Sequence, residues 1–272
     1  MNQKTAIVIH GAAGRMGDSL VRLALASRDV RLVATLVRSG SPLAGTPLPE
    51  THAEGTIDLR YTTVLPANVA SAVLIDFSNA DAFDAALLLA LEHKLAFVCG
   101  TTGLDARQQA ALDAAAGSIA VLWSANFSLG VALLERLVSD AARALPDWDC
   151  EIAETHHRAK KDAPSGTALA LGRDVAAARK HTFDSVAKFS RAGEDSPRTR
   201  GSIGFAVTRA GDIVGEHRVM FATAGERIEL IHRATHRDIF ARGALTAATW
   251  MAARAPGRYA LIDALGGSAT GD

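Results

Sequence analysis

The stretch TAIVIHGAAGRMG at residues 5–17 decides the fold of this chain. It begins as a short apolar run rich in β-branched residues, passes through Gly11, Gly14 and Gly17, and opens an amphipathic pattern that continues to about residue 26. Glycine permits a tight turn, and the first turn of a helix leaves backbone N–H groups without intrahelical partners. The stretch therefore predicts a strand, a glycine turn and a helix, the unit from which parallel α/β sheets are built.

Apolar runs of strand length alternate with helical patterns as far as residue 127. Strands are predicted at residues 30–37, 72–77, 95–99 and 119–123, and helices at residues 80–92 and 105–116. Residues 39–60 are punctuated by glycine and proline, which predicts a loop. Repeated βα units of this kind indicate a parallel sheet.

The pattern changes after residue 127. Helices are predicted at residues 129–144 and 238–253, and strands that are antiparallel in character at residues 202–208, 214–222 and 227–232. We therefore predict an α/β fold with an N-terminal Rossmann-like parallel-sheet domain at residues 1–127 and a mixed α/β domain at residues 128–235. Residues 236–272 are predicted to return to the first domain.

Composition and charge exclude several classes of protein. The 272 residues suffice for one large domain or two ordinary ones, and Lys+Arg and Asp+Glu are both 29. This balance argues against nucleic-acid or membrane-surface binding as the main function. No apolar run reaches the roughly 20 residues of a membrane span, and the N-terminus lacks a signal-peptide pattern, which predicts a soluble, cytoplasmic protein. Cys99 and Cys150 lie in apolar contexts and are predicted to be buried thiols.

The glycine turn at residues 11–17 is placed where a dinucleotide-binding loop requires it, although Ala13 occupies the second glycine position. Alanine is small and hinders close approach little unless the position needs a positive φ. An ordinary strand–turn–helix junction is the alternative. The second strand ends in Val37-Arg38 without an acid for a ribose 2′-OH, so Arg38, or Arg15 from the turn, could pair with a 2′-phosphate. NADPH is preferred over NADH, which stays open, and a solvated Arg38 is the alternative.

Two further turns follow predicted parallel strands. GTTG at residues 100–103 and SANF at residues 124–127 come after the strands at 95–99 and 119–123. Open parallel sheets bind ligands along this edge. Together with the glycine loop, these turns predict a cofactor cleft.

The segment ETHHRAKKDAPSGT at residues 154–167 is predicted to be a loop that carries proton donors and an anion site. Ser165 is the predicted N-cap of a helix at residues 166–178, which presents the N–H groups of Gly166 and Thr167 to a carboxylate. His157 and Lys160 could bind a second carboxylate or protonate an intermediate. A solvated basic loop before a capped helix is the alternative.

Five segments together resemble the 4-hydroxy-tetrahydrodipicolinate reductase family. They are residues 11–17, 100–103, 125–128, 154–167 and 209–217 (RAGDIVGEH). The resemblance implies a cytoplasmic homotetramer, with the second domain binding substrate and forming the oligomer. It also implies a reaction of the diaminopimelate route to lysine: NADPH or NADH reduces 4-hydroxy-tetrahydrodipicolinate, a small dicarboxylate, to tetrahydrodipicolinate with loss of water.

The resemblance also assigns roles to individual residues, and no metal is predicted. Proton transfer falls on His156 and Lys160, and substrate binding on His157, Gly166 and Thr167. Arg158 and Lys161 are expected only to support the charge of the loop. Cofactor contacts fall on Gly11, Ala12, Ala13, Gly14, Arg15, Met16, Arg38, Gly100, Thr101, Thr102, Ser124, Ala125, Asn126 and Phe127.

The chain departs from the family pattern at two positions. Val37 stands where members that use both cofactors often have Glu, which favours NADPH, and Ala80 stands where the family commonly has proline, which should affect the rigidity of a helix start. Two rival interpretations are a related dehydrogenase of small amino or keto acids and a nucleotide-sensing regulator. Neither accounts for the intact donors His156, His157 and Lys160.

Overall fold

The computed structural model describes residues 4–49, 59–67, 69–193 and 195–266. They divide into two compact units. The first combines the residues up to Leu129 with those from Asp238 onwards, and the second is Gly130–Arg237. Part of the predicted loop at 39–60, residues 50–58, lies outside the described residues.

The first unit begins with alternating strands and helices, as the sequence predicts. They are β1 (Thr5–His10), α1 (Arg15–Leu25), β2 (Val30–Leu36), β3 (Tyr61–Thr62), β4 (Val73–Asp76), α2 (Ala80–Glu92), β5 (Ala96–Cys99), α3 (Ala106–Ala115) and β6 (Ala120–Trp123). Ala80 occupies the first position of α2, and the side chain of Asn79 caps the helix by accepting a hydrogen bond from Ala82 N at 3.0 Å. This helix therefore begins without the family's proline.

The second unit contains a mixed sheet with helices. Its elements are α4 (Leu129–Ala144, which starts at the end of the first unit), β7 (Asp149–His156), α5 (Gly166–Ala178), α6 (Phe183–Val186), β8 (Ala187–Lys188), β9 (Ile203–Arg209), β10 (Gly215–Thr223) and β11 (Glu226–Ala234). The strand order is β11-β10-β7-β9-β8. The antiparallel expectation is confirmed for β10 and β11 and is wrong for β9, which pairs in parallel with β7 and β8.

Strand β7 also corrects the predicted loop at residues 154–167, because Glu154, Thr155 and His156 complete the strand. Alternate residues of β7, from Cys150 to His156, are buried. The last two buried positions are polar rather than apolar, and this change hid the strand from a hydrophobicity pattern.

The chain ends with α7 (Asp238–Met251), β12 (Gly257–Tyr259) and a 3₁₀ helix (Leu261–Leu265), all in the first unit. The first sheet then has seven strands in the order β12-β6-β5-β4-β1-β2-β3, and its pairs are parallel. Its central strands are buried, as in sheets covered by helices on both faces. After β1 the chain adds β2 and β3 on one side of β1, and it then adds β4, β5 and β6 on the other side. The direction of winding therefore reverses between β1 and β4. The carboxyl ends of these two strands form the switch point where such sheets bind ligands.

Candidate active site

The turn after β1 requires glycine at two positions. Gly11 has φ +77°, and a Cβ there would lie 3.0 Å from the carbonyl oxygen of Phe77 at the switch point. A Cβ on Gly17 would overlap the carbonyl oxygen of Gly11. The N–H groups of Gly11 and Ala12 both donate to Leu36 O at 3.1 Å. These contacts set α1 close against the end of β1, which is the geometry of a dinucleotide-binding turn.

Helix α1 opens toward solvent at this turn. Its N-cap is Gly14, which has no side chain to cap the first N–H groups. Ala13 is exposed, and it is absent from the residues with positive φ among those described, so alanine at this position is unstrained. Arg15 is exposed, Met16 is half-buried, and Ala12 is fully buried. The turn can therefore hold a pyrophosphate with its backbone, whereas Ala12 can contribute only main-chain atoms.

Arg38 is exposed and is the second residue after the end of β2. The preceding Val37 is 6% exposed and packs inward. The end of this strand thus carries one cationic side chain and no carboxylate within the two residues after it.

A buried carboxylate that the sequence analysis missed organises the neighbouring strand ends. Asp76, at the end of β4, accepts hydrogen bonds from Thr101 Oγ1 at 2.7 Å and Ser78 N at 3.2 Å, and its Oδ1 lies 2.7 Å from His10 Nδ1. Thr101 is 2% exposed and its side chain is engaged. Its predicted contact with a cofactor would therefore be made by main-chain atoms. Gly100, beside it, is half-buried, and Thr102 is exposed.

The turn after β6 is held by its own hydrogen bonds. Ser124 Oγ donates to Asn126 O at 2.7 Å, and Asn126 Oδ1 accepts from Ser128 N at 2.9 Å. Ala125 is exposed. Phe127 is 1% exposed, with its ring centroid 5.1 Å from that of Phe77. Phe127 therefore shapes the turn from inside, and the accessible groups are at residues 124–126.

In the second unit, the centre of the candidate site is another buried carboxylate. Glu154 Oε2 lies 2.5 Å from His156 Nδ1, and Glu154 also accepts from Ser165 N at 2.9 Å. Arg209 grips both carboxylate oxygens, at 2.7 and 2.8 Å. The predicted proton-transfer residue His156 is thus fixed at the end of a strand by a group that sequence reasoning did not assign to the site.

The electrostatics of this cluster follow from burial and pairing. Burial opposes ionisation of Glu154, but the hydrogen bonds from Arg209, His156 and Ser165 outweigh it and hold the Glu154 pKa below its ordinary value. Burial lowers the pKa of His156 and outweighs the carboxylate of Glu154. Burial, followed by the neighbouring His156, lowers the pKa of His217 to about 4. Both imidazoles therefore favour the neutral form at neutral pH.

The remaining predicted residues lie just beyond this cluster. Lys160 Nζ pairs with Asp162 at 2.9 Å, and His157 Nε2 lies 3.2 Å from Arg237 Nη2. Arg237, which is 80 residues away in sequence, was not predicted as a site residue. Arg158 and Lys161 are exposed.

Helix α5 starts as predicted. Ser165 Oγ accepts from Ala168 N at 3.2 Å and lies 3.1 Å from His217 Nε2. Gly166 is exposed, with no atom within 4 Å of where its Cβ would be, and Thr167 is half-buried. This 13-residue helix thus presents an open N-terminus suited to a carboxylate.

Family models distinguish the two parts of the chain. One described as dihydrodipicolinate reductase, N-terminus, matches residues 5–127, and one described as dihydrodipicolinate reductase, C-terminus, matches residues 130–265. The chain belongs to the dihydrodipicolinate reductase family. As a member of this family it is an oxidoreductase that binds a nicotinamide cofactor.

Curated relatives agree with this assignment. The chain is 48% identical over 264 residues to the 4-hydroxy-tetrahydrodipicolinate reductase of Alkalilimnicola ehrlichii, covering 96% of this chain and 99% of that protein. It is 46% identical over 262 residues to the reductase of the same name from Stenotrophomonas maltophilia, covering 95% and 97%.

Solved structures share the fold. A dipicolinate-bound dihydrodipicolinate reductase from Paenisporosarcina sp. aligns with a TM-score of 0.75 at 22% identity, over 95% of this chain and 98% of that one. A probable dehydrogenase from Thermotoga maritima aligns with a TM-score of 0.62 at 11% identity, over 95% and 92%. The fold is therefore shared with other dehydrogenases, whereas the segment at residues 154–167 is what the family resemblance rests on most specifically. No helix in the described part of the chain is long and apolar enough to cross a lipid bilayer.

Proposed function

We propose that this chain reduces 4-hydroxy-tetrahydrodipicolinate to tetrahydrodipicolinate with loss of water, with NADPH as the preferred reductant. The reaction is the one for which its curated relatives are named. The assignment of roles rests on the cluster in the second unit. There Glu154 contacts both His156 and Ser165, the N-cap of α5. Arg209 joins Glu154 to the backbone of Asp162, whose carboxylate pairs with Lys160.

The two units divide the chemistry. When bound, the nicotinamide supplies hydride to a conjugated imine of the substrate, and negative charge then develops on the acceptor. The glycine turn of the first unit holds the pyrophosphate, and the turns at residues 100–102 and 124–126 contact the rest of the cofactor. In the second unit, Gly166 and Thr167 bind one carboxylate of the substrate through the start of α5, while His157, beside Arg237, binds the other.

Lys160 and His156 handle the proton. Lys160 is positively charged and half-buried, and its side chain is paired with Asp162, whose pKa it lowers. A substrate carboxylate can compete with Asp162 for this ammonium group, which leaves Lys160 beside the developing charge. His156 exchanges a proton at the same site, and the net reaction consumes one hydride and one proton and releases water.

NADPH is preferred because the end of β2 offers Arg38 and no acid. A guanidinium pairs with the 2′-phosphate that distinguishes NADPH, whereas NADH-selective sites place a carboxylate there. The family resemblance also supports a homotetramer and a cytoplasmic location, which light scattering and cell fractionation would test.

The decisive experiment supplies enzymatically generated substrate and follows the absorbance of the reduced cofactor. We expect oxidation of NADPH at a higher kcat/KM than NADH, dependent on the substrate. A chain that oxidises neither cofactor would overturn the proposed function, and equal values would overturn the preference alone.

A further inference from the structure

We propose that Glu154, acting with Arg209, is a positioning residue that sets the tautomer and orientation of His156 and anchors the loop carrying Lys160. The inference rests on the proposed function only in the roles of His156 and Lys160. The geometry of Glu154 itself is independent of the substrate.

The contacts of Glu154 determine which ring nitrogen of His156 carries the proton. Glu154 is 2% exposed, and its Oε2 lies 2.5 Å from His156 Nδ1. An ionised carboxylate can only accept hydrogen bonds, so Nδ1 must be the protonated nitrogen. Neutral His156 is thereby held as the Nδ1–H tautomer, and Nε2 is the nitrogen that gains or loses a proton.

The opposite edge of the His156 ring lies against Gly215. A Cβ at this position would lie 2.9 Å from His156 Nε2, which is too close for an unperturbed ring. Glu154 on one edge and Gly215 on the other therefore confine the imidazole between two fixed surfaces.

Arg209 connects this pair to the loop. Besides its two bonds to Glu154, its Nη2 donates to the backbone oxygen of Asp162 at 2.6 Å. The carboxylate of Asp162 in turn pairs with Lys160. One guanidinium thus links the carboxylate that orients His156 to the segment that carries the second proton-transfer residue.

The charges around His156 give the inference a measurable consequence. Burial, Lys160 and Arg209 lower the pKa of His156, Glu154 raises it, and the ring of His217 stands edge-on at 5.1 Å. Glu154 is therefore the group that favours the protonated form of His156. Replacing its charge should lower the His156 pKa further.

Strand β7 offers a matched control. Glu151 lies on the same strand with its side chain on the opposite face. It pairs with Arg191 at 2.7 Å and with Arg198 at 3.1 Å. Glu151→Gln removes a carboxylate paired to arginine without touching His156, so it separates loss of an ion pair from loss of positioning.

The test compares Glu154→Gln with Glu151→Gln. We expect Glu154→Gln to lower kcat roughly 10- to 100-fold, and to move the pH dependence of kcat toward lower pH, while Glu151→Gln stays within about twofold. Nitrogen-15 spectra of the histidines, with His156 assigned by its loss in His156→Gln, should show Nδ1 protonated in the wild type. The same spectra should show a lower pKa in Glu154→Gln.

The outcomes separate the two proposals. Wild-type protein without turnover would contradict the proposed function, yet the spectra would still report on Glu154. An active wild type whose His156 carries its proton on Nε2, or whose Glu154→Gln variant keeps the wild-type pH profile, would overturn the inference. If Glu154→Gln does not fold, Arg209→Lys replaces it. This variant keeps the positive charge but loses the bidentate hydrogen bonding to Glu154. An unchanged kcat and pH profile would likewise refute the inference.

Discussion

Each unit of the molecule is organised around a buried carboxylate at or near the end of a strand, but the two carboxylates lie beside different kinds of surface. Asp76 forms hydrogen bonds with His10, Thr101 and the backbone of Ser78. The accessible groups nearby are mainly main-chain atoms and small side chains. Glu154 forms hydrogen bonds with both His156 and Arg209, and the groups around it are titratable.

The difference fits the chemistry that we propose for each surface. A pyrophosphate is bound well by backbone N–H groups that need no particular side chain. Proton transfer needs side chains whose pKa is set by burial and by charged neighbours. Activity should therefore be sensitive to changes of side-chain volume in the first unit and to changes of side-chain charge in the second.

The largest effect is expected from removing the ammonium group of Lys160. Lys160→Ala should lower kcat by about 10²- to 10⁴-fold because general acid catalysis at the site is lost. The KM for NADPH should change little, since the proposed nucleotide-binding residues lie in the other unit. Steady-state kinetics would measure both, with the exposed neighbour Lys161→Ala as control. Near-normal turnover in Lys160→Ala would contradict the expectation that activity depends on side-chain charge in the second unit.

A shape change in the first unit should act in the opposite way. The added methyl group of Gly17→Ala overlaps the carbonyl of Gly11 and forces α1 away from the turn. We expect the free energy of unfolding to fall by about 1–3 kcal/mol, and the KM for the cofactor to rise more than kcat falls. Gly117→Ala, where the nearest atom to the Cβ is 3.4 Å away, is the control. Equal thermal stability of the two variants would contradict this geometry.

Replacing Arg38 tests the charged side chain that we propose reads the 2′-phosphate of NADPH. Arg38→Ala should raise the KM for NADPH roughly tenfold, as expected for loss of a charge-assisted hydrogen bond, and should leave the KM for NADH nearly unchanged. Parallel titrations with both cofactors would measure this. An equal rise for both would show that Arg38 does not read the 2′-phosphate.

The smallest effect is expected at two carboxyl groups whose pKa is raised, whereas that of Glu154 is lowered. Burial raises the pKa of Asp174, on α5, to about 6, and burial with the nearby Asp174 raises that of Glu135, on α4, to about 7. In acid both carboxyls are protonated in the folded and unfolded chain. As the pH rises toward these folded values, the unfolded chain loses protons that the folded chain retains, so stability falls.

Asp174→Asn should therefore raise the melting temperature near neutral pH and have little effect near pH 4. The exposed Asp184→Asn is the control, and thermal unfolding across this pH range measures both. A stabilisation by Asp174→Asn that is independent of pH would show that ionisation is not its cause.

Much of the fold could be predicted because its signals are local. The βα alternation, the glycine turn and the Ser165 cap each depend on residues within a few positions of one another, and all are present in the structure. The strand β7 was hidden because its buried side changes from apolar to polar at Glu154 and His156. Its place between β9 and β10 is a long-range pairing, which hydrophobic periodicity does not specify.

The amino-acid sequence by itself determined the glycine loop, the donor loop with its His156 and Lys160, and the family to which they point. The tertiary structure decided what holds those donors. Glu154 and Arg209 are 55 residues apart and meet because β7 and β9 pair in parallel, with His156 opposite Arg209. Sheet pairing and burial bring distant charges together, and those contacts, rather than the order of residues, set the pKa and orientation of His156, the proposed proton-transfer residue.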